Sequence, residues 1–432
     1  MKTVIMAGGK GTRISSVASD VPKPMIRIEG KPVLEREIEC LRDQGFTDLI
    51  ITVSHMADQI IDYFEDGTAL GVHIEYYKEE TPLGNAGALF KIREKIDSDF
   101  LLLNADAVFD IDFNRFVNYH RSKSSLVTLF THPNSHPYDS GVIIADKNNA
   151  VTQWLTKEDA RPQWYANCVN AGLHVINPAV LDMVDVSDEE IGTQTKDGET
   201  IKIDLDRQIL KPLCGSGKMF SYSSPEYVKD MGTPERYEAV CADYKKGLVQ
   251  AKNLTKRQKA VFLDRDGTIN KYVGFLRDID DFELLPGVAD AIEKINKSGY
   301  LAIVVTNQPV IARGDVTWEQ LQEIHNKMET LLGAKGAYLD GIYFCPHHPH
   351  KGFEGEVPEL KIDCECRKPK PGMIFEAAKD FNIDLSQSWM IGDGENDIKA
   401  GKAAGCKTAL IGSTDFGQDV TVDSLRDLLI YL

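Results

Sequence analysis

Two aspartates separated by one residue, at the end of an apolar run, constrain this chain more than any other feature: Ala260-Val261-Phe262-Leu263-Asp264-Arg265-Asp266-Gly267-Thr268. An apolar strand that ends in acids and a Gly-Thr turn predicts the start of an α/β domain that handles phosphate at its sheet edge. A second start opens the chain, where Thr3-Val4-Ile5-Met6-Ala7 runs into Gly8-Gly9-Lys10-Gly11-Thr12-Arg13. Two such starts in 432 residues predict two α/β domains joined head to tail, because single cores stop growing well below that length. Each is expected to be a mainly parallel sheet flanked by helices, over 1–245 and 259–432. The basic stretch between them, 246–258, reads as a solvated linker, with a phosphate-steering patch as the alternative.

Periodicity supports this organisation. In the first half, strands are expected at 3–6, 49–54, 73–77, 100–104 and 126–131, with helices at 32–44, 56–64, 87–95 and 112–122. Pro32 suits a first helical position and Gly45 a helix end. In the second half, strands are expected at 260–263, 301–306, 341–344 and 388–392, with helices at 288–298, 317–332 and 372–381. Strands alternating with helices point to parallel sheets.

The formal net charge of −17 argues against nucleic acid as a partner. It leaves small phosphorylated ligands open, since local cations and backbone N–H groups bind those. No apolar run is long enough to span a membrane, and no signal-peptide pattern precedes the first strand. The expected location is therefore the cytoplasm, where the 8 cysteines would be reduced or metal-bound.

In the first half, Gly8, Gly9, Gly11 and Thr12 form a loop that can aim N–H groups at phosphate oxygens, although a plain tight turn is the alternative. The loop is neither a Walker A loop nor a dinucleotide fingerprint. Pro22-Lys23-Pro24 holds a lysine between two prolines. Leu101-Leu102-Leu103-Asn104-Ala105-Asp106 is a buried-type strand that ends in an acid. Asp230 precedes the Gly232-Thr233-Pro234 turn, where a helix N-cap is the alternative reading.

Taken in order, these segments resemble the sugar-1-phosphate nucleotidyltransferases over about residues 1–240, and within that family the guanylyltransferases that make GDP-heptose. The resemblance implies a nucleoside triphosphate, GTP here, and a sugar 1-phosphate as substrates. It also implies Arg13 and Lys23 as neutralising cations and Asp106 and Asp230 as Mg²⁺ ligands. Gly84 and Asn85 would shape the base or sugar pocket; Gly141, Asn170 and Gly172 would line the sugar side, and Lys157 would contact the sugar phosphate. The chain departs from the family at Met6, Ala105 and Thr156-Lys157-Glu158.

In the second half, Asp264 and Asp266 can face one side, so one can attack phosphorus while the other shuttles protons. Thr306 and Asn307 end a strand, Arg367 and Lys368 supply cations, and Ile391-Gly392-Asp393-Gly394-Glu395-Asn396-Asp397 ends another strand with acids. This four-part order resembles the haloacid dehalogenase-like phosphatases. The resemblance implies an aspartyl-phosphate on Asp264, and Asp266 as acid and base. Thr306 and Lys368 would hold the phosphoryl group, with Mg²⁺ at Asp264, Asp266 and Asp393.

Cys345-Pro346-His347 and Cys364-Glu365-Cys366 bracket a segment rich in Pro, Gly and charge. Three thiols and an imidazole suit a closed tetrahedral Zn²⁺ site. His348 and His350 are alternative ligands, and unliganded surface thiols the alternative to any metal. The zinc-loop motifs, with Ile311-Ala312-Arg313-Gly314, narrow the resemblance to the D-glycero-D-manno-heptose 1,7-bisphosphate 7-phosphatases over about 258–412. Arg313 would then help bind substrate. Histidinol-phosphate phosphatases share much of the pattern, and Pro309-Val310 stands where the heptose family has Ser-Gly. The two resemblances together imply that the second domain makes the sugar 1-phosphate that the first consumes. The same fusion with CTP, ATP or UTP or another phosphosugar, and one half as a phosphosugar sensor, are the alternatives. These motifs encode neither base, anomer nor oligomeric state.

Overall fold

The computed structural model describes residues 1–9, 14, 16, 17, 20–156, 158–195 and 197–432. Arg13, Gly11, Thr12 and Lys157 lie outside the described residues. The chain divides into two compact units: Met1–Thr131, Ile143–Trp154 and Asn170–Asn253 form the first, and His132–Val142, Leu155–Val169 and Leu254–Leu432 the second. The expected linker is not a solvated tether. It carries a short helix, Leu248–Ala251, whose Val249 is fully buried with Ile14, Ile26, Ile28 and Val240. Lys252, Asn253, Leu254 and Gln258 are buried as well.

Among the described residues, the first unit is built on a nine-stranded sheet. Its parallel centre places Thr3–Ala7 between Asp48–Val53 and Phe100–Asn104, with His73–Lys78 outside. The strand Val169–Ile176 then pairs antiparallel with Phe100–Asn104. Runs such as Leu101-Leu102-Leu103 are fully buried, as expected of strands covered on both faces. Outside this sheet, Ala107–Asp110 pairs antiparallel with Tyr227–Asp230, in a register that sets Asp230 opposite Ala107. Pro32 precedes the helix Val33–Arg42 as its N-cap, one position earlier than expected.

In the second unit the sheet is six-stranded and all parallel, with Lys259–Leu263 at its centre. Tyr300–Asn307 and then Gly341–Cys345 lie on one side. Trp389–Gly392, Lys407–Ile411 and Val420–Val422 lie on the other. Alternate residues serve opposite faces. Val261 and Leu263 pack with the helices Val288–Asn296 and Trp318–Gly333, whereas Ala260 and Phe262 pack with Gly372–Asp380 and the helix Glu395–Ala404. Thr317 and Gln320 close a reciprocal capping box on Trp318–Gly333. Because the chain leaves the central strand towards one side of the sheet and later crosses to its other side, the C-terminal end of that strand is the topological switch point where ligands bind in such sheets.

Candidate active sites

The switch point of the second unit is where Asp264 sits. Register puts Leu263 beside Val304 and Ile391, so the residues that follow all three strands share one edge. Asp264 donates its backbone N–H to the Ile391 carbonyl (2.9 Å) and accepts at Oδ1 from the Arg265 N–H (2.7 Å). The Lys368 ammonium lies 2.8 Å from Asp264 Oδ1 and 2.6 Å from Asp397 Oδ1, with its side chain almost wholly buried. Asn307 holds that lysine from both ends of its amide: Nδ2 donates to the Lys368 carbonyl, and Oδ1 accepts the Lys368 N–H, each at 3.0 Å. Burial, then the Asp397 charge, pushes the Asp264 carboxyl up to about 6, with Lys368 opposing. Lys368 itself is pushed up, because its two carboxylate partners outweigh its burial.

Oxygens of Asp264, Asp393 and Asp397 lie within 4.8 Å of one another. Three hard carboxylate donors on one point fit a small divalent cation such as Mg²⁺. The third member is Asp397 rather than the expected Asp266, whose carboxylate is turned onto Arg265, Asn270 and Gln308. Burial would raise the Asp266 carboxyl, but those donors together hold it below the usual range. Gly267 is obligatory here. Its φ is +87°, and a Cβ would sit 2.0 Å from Asp393 Oδ2. Thr306 is buried, and its Oγ1 accepts from Gln308 Nε2 (2.9 Å).

Beside this edge, Cys345, His347, Cys364 and Cys366 converge. Sulfur–sulfur separations are 3.2–3.4 Å, and His347 Nδ1 is 3.3 Å from Cys366 Sγ and 3.7 Å from Cys345 Sγ. Donors about 2.3 Å from a tetrahedral zinc would be a little under 4 Å apart, so this donor set is close to the size of such a site. Hydrogen bonds from Cys345 and Cys364, with His347 adding, push the Cys366 thiol down to about 5 despite burial. His348 is instead engaged with the His350 carbonyl (3.2 Å). Arg367, next to Cys366, donates to the His347 carbonyl (3.1 Å). The Arg313 guanidinium is stacked between Phe275 (4.0 Å) and Phe353 (4.4 Å), with Nε 2.9 Å from Asp315.

The first unit assembles its groups from more distant segments. Lys23 stands on the turn Lys23–Met25, and its ammonium pairs with Asp106. Asp230 ends a strand of the short ribbon, and the Met231 N–H donates to the Asp106 carbonyl (3.2 Å). Arg236 Nη1 lies 2.7 and 2.9 Å from the two Asp230 oxygens, and the Gly232 N–H donates to Oδ1 (2.8 Å). Burial would raise Asp230, but Arg236, with Lys23 adding, holds it below the usual carboxylate range. A cation and two acids thus meet at one strand end. The sequence reading missed two residues here, Arg236 and Glu37. The Glu37 carboxyl is buried on Val33–Arg42 without a hydrogen-bond partner among the described residues. Burial, then the Asp106 charge, pushes it well above its ordinary range.

The remaining expected residues have local structural duties. Gly84, at φ +86°, lets the Ile203 carbonyl approach to where a Cβ would be 2.3 Å away. Asn85 Oδ1 accepts the Leu205 N–H (2.7 Å). Asn170 Oδ1 faces His174 Nε2 (3.2 Å), and Gly172 lies against Asn104. Gly8 lies close to Glu79, whereas Gly9 has open space where a Cβ would be. Gly141 falls in His132–Val142, a segment of the second compact unit.

Lys23 with Asp106 and Asp230 in one unit, and Asp264 with Lys368, Asp393 and Asp397 in the other, are the two candidate sites. The nucleotidyl transferase family matches residues 2–247, and the haloacid dehalogenase-like hydrolase family matches residues 217–405. The chain therefore belongs to the nucleotidyl transferase family in its first half and, through relatives of 42–43% identity, to the haloacid dehalogenase-like hydrolases in its second. Those relatives are D-glycero-beta-D-manno-heptose-1,7-bisphosphate 7-phosphatases. The Yersinia pestis protein is 43% identical over 170 residues, covering 39% of this chain and 87% of its own length. The Escherichia coli K12 protein is 42% identical over 171 residues, covering 40% and 86%. Among solved structures, HddC from Yersinia pseudotuberculosis matches 56% of this chain and 99% of its own, at 27% identity and TM-score 0.47. Among the described residues, no helix is long and apolar enough to cross a membrane.

Proposed function

We propose that the chain is a bifunctional enzyme of nucleotide-activated heptose synthesis. The second unit removes the 7-phosphate of D-glycero-D-manno-heptose 1,7-bisphosphate. The first unit joins the resulting heptose 1-phosphate to GMP from GTP and releases pyrophosphate. One observation carries the reading: the Asp264 carboxylate follows the central strand, 2.8 Å from Lys368 and within 4.8 Å of Asp393 and Asp397. The names of the 42–43% identical relatives support the sugar.

Asp264 Oδ attacks phosphorus as the bond to the sugar O7 breaks, and the proton that O7 needs comes from Asp266. Water then attacks the aspartyl-phosphate and gives its proton back to Asp266, releasing phosphate. Lys368 and Thr306 hold the equatorial oxygens, and Asn307 keeps Lys368 in place. Asp264, Asp393 and Asp397 would hold Mg²⁺, which neutralises charge on the phosphoryl group when bound. Zinc on Cys345, His347, Cys364 and Cys366 would order the loop that carries Arg367 and Lys368. In the first unit Lys23 offsets repulsion between the two phosphate anions, and Asp106 and Asp230 would hold a second Mg²⁺.

The test supplies the α- and β-anomers of the bisphosphate with each of GTP, ATP, CTP and UTP, and weighs the products. The expected result is phosphate release followed by GDP-heptose. No phosphate release from either anomer overturns the phosphatase assignment, and a product with another base overturns the guanylyl assignment.

A further inference from the structure

The strands Lys259–Leu263, Tyr300–Asn307 and Gly341–Cys345 are parallel neighbours, so the segments that follow them leave one edge of the sheet, the edge that holds Asp264. The first of these segments carries Phe275, the second Arg313 and the third Phe353. The three side chains meet. The Arg313 guanidinium carbon lies 4.0 Å from the centre of the Phe275 ring and 4.4 Å from that of Phe353. Its Nε is ion-paired with Asp315 (2.9 Å), whose other oxygen is 3.3 Å from Arg277. The two Nη groups have no hydrogen-bond partner among the described residues. A guanidinium aimed by two rings and one acid, with its outer edge unfilled, is suited to receive an oxyanion on two parallel N–H bonds.

Phe353 is itself held in place. The Gly352 and Phe353 N–H groups donate to one Glu356 oxygen (2.9 and 3.1 Å), and the Lys361 ammonium lies 3.4 Å from that oxygen and 4.5 Å from the Phe353 ring. The Val357 N–H donates to the Ala312 carbonyl (3.0 Å). Gly314 packs so closely on Gly355 that a Cβ would be 1.9 Å from the Gly355 carbonyl oxygen. The loop that carries Phe353 is thus fastened to the residues on either side of Arg313. Phe275 is 46% exposed, and the guanidinium covers one of its faces.

We propose that Phe275 and Phe353 are positioning residues that hold the Arg313 guanidinium with its Nη edge turned to the second phosphate of the substrate, the one that is not cleaved. The inference rests on the phosphatase reading. Stacking confines the guanidinium to the plane between the rings, so it meets the phosphate already oriented and loses little freedom on binding. The second phosphate is remote from the reacting phosphorus. Its contact therefore strengthens the binding of substrate and transition state alike, and it is read in KM rather than kcat.

The test compares the full chain with Phe353→Leu, Phe353→Tyr, Phe275→Leu and Arg313→Met on heptose 1,7-bisphosphate and on heptose 7-phosphate, which lacks the second phosphate. The parent should favour the bisphosphate in kcat/KM by about tenfold to a hundredfold. Phe353→Leu and Phe275→Leu should each raise KM for the bisphosphate by about threefold to tenfold, with kcat changed less than about twofold. KM for the 7-phosphate should move by less than about twofold. Phe353→Tyr, which keeps a ring, should retain the parent's KM. Adding Phe353→Leu to Arg313→Met should cost nothing further, because the ring acts through the guanidinium. An equal rise in KM on both substrates, a further loss in the double variant, or a parent with no preference for the bisphosphate would overturn the proposal. If Phe353→Leu fails to fold, Phe275→Leu at its exposed position carries the test. A parent that hydrolyses neither substrate defeats the phosphatase reading itself. A parent that prefers the bisphosphate while both leucine variants keep its KM defeats only the positioning role.

Discussion

The two units handle phosphate with similar groups but place them differently. In the second unit, Asp264, Thr306 and Asp393 each end a strand of one parallel sheet, within a residue or so of the last paired position. Sheet register alone then determines their spacing. In the first unit, only Asp106 follows a strand of the main sheet; Lys23 stands on a proline-bounded turn, and Asp230 arrives on a separate two-stranded ribbon. A site built on strand ends is rigid once the sheet is formed. A site gathered from a turn and a ribbon depends on the side-chain pairs that join them, here Lys23–Asp106 and Arg236–Asp230.

The sharpest way to break this comparison is to silence one site and watch the other. Asp264→Asn removes the attacking oxygen, so phosphate release should fall on the order of 10⁴-fold or more. Pyrophosphate release from GTP and preformed heptose 1-phosphate should be unchanged in the same preparation. A parallel loss in both assays would contradict two self-sufficient sites. The reciprocal change, Lys23→Ala, should lower pyrophosphate release by about 10²–10³-fold and spare phosphate release. It also leaves Asp106 without its cation partner, so the loss should exceed that of Arg236→Ala, which removes a partner of Asp230 further from the reacting groups.

A different kind of rigidity is expected from the thiol cluster. Cys364→Ser or prolonged chelation should release about one equivalent of zinc per chain and lower the thermal transition of the second unit, leaving that of the first in place. Zinc content by mass spectrometry and calorimetry check both parts. A chain that holds no zinc and melts unchanged after chelation would make the loop self-supporting.

How much of this was legible in the sequence follows from the same contrast. The strands 100–104 and 260–263 and most helices were readable because apolar runs and their spacing are local signals. That Asp264, Lys368 and the Cys/His set stand out was readable because they lie at strand ends or in close-spaced motifs. Asp397 reads in sequence as one of several acids after the strand and not as a ligand, because it lies on the first turn of the helix Glu395–Ala404, beyond the strand-end acid. Arg265 and Gln308 looked like spacers within motifs, and only tertiary packing shows that they are buried together against Asp266. Glu37 gave no signal, since a glutamate on an amphipathic helix reads as solvated. The strands Met219–Ser223 and Val142–Ala145 were not read, because the residues between the sugar-side motifs lack regular periodicity. The basic stretch after Tyr244 misled because composition does not reveal that Val249, Leu254 and several of its polar neighbours are buried.

The smallest expected effect tests whether the two units share a response to acid. His174 in the first unit and His325 in the second are each buried and held neutral, with pKa values lowered to about 3. Burial is the cause for both, and the Arg265 charge adds to it at His325. The unfolded chain binds a proton on such a histidine near pH 6.5, whereas the native state does not until about pH 3. Stability from each group is therefore complete above pH 6.5 and declines as the pH falls towards 3. Between pH 7 and 5.5, His174 should withdraw about 1 kcal/mol from the first unit. His174→Gln, an uncharged side chain that can still meet Asn170, should be less stable at neutral pH but lose about 1 kcal/mol less over that interval. Urea denaturation at the two pH values measures the difference. Equal pH slopes in the parent and variant would show that the buried imidazole is not the source of the first unit's acid sensitivity.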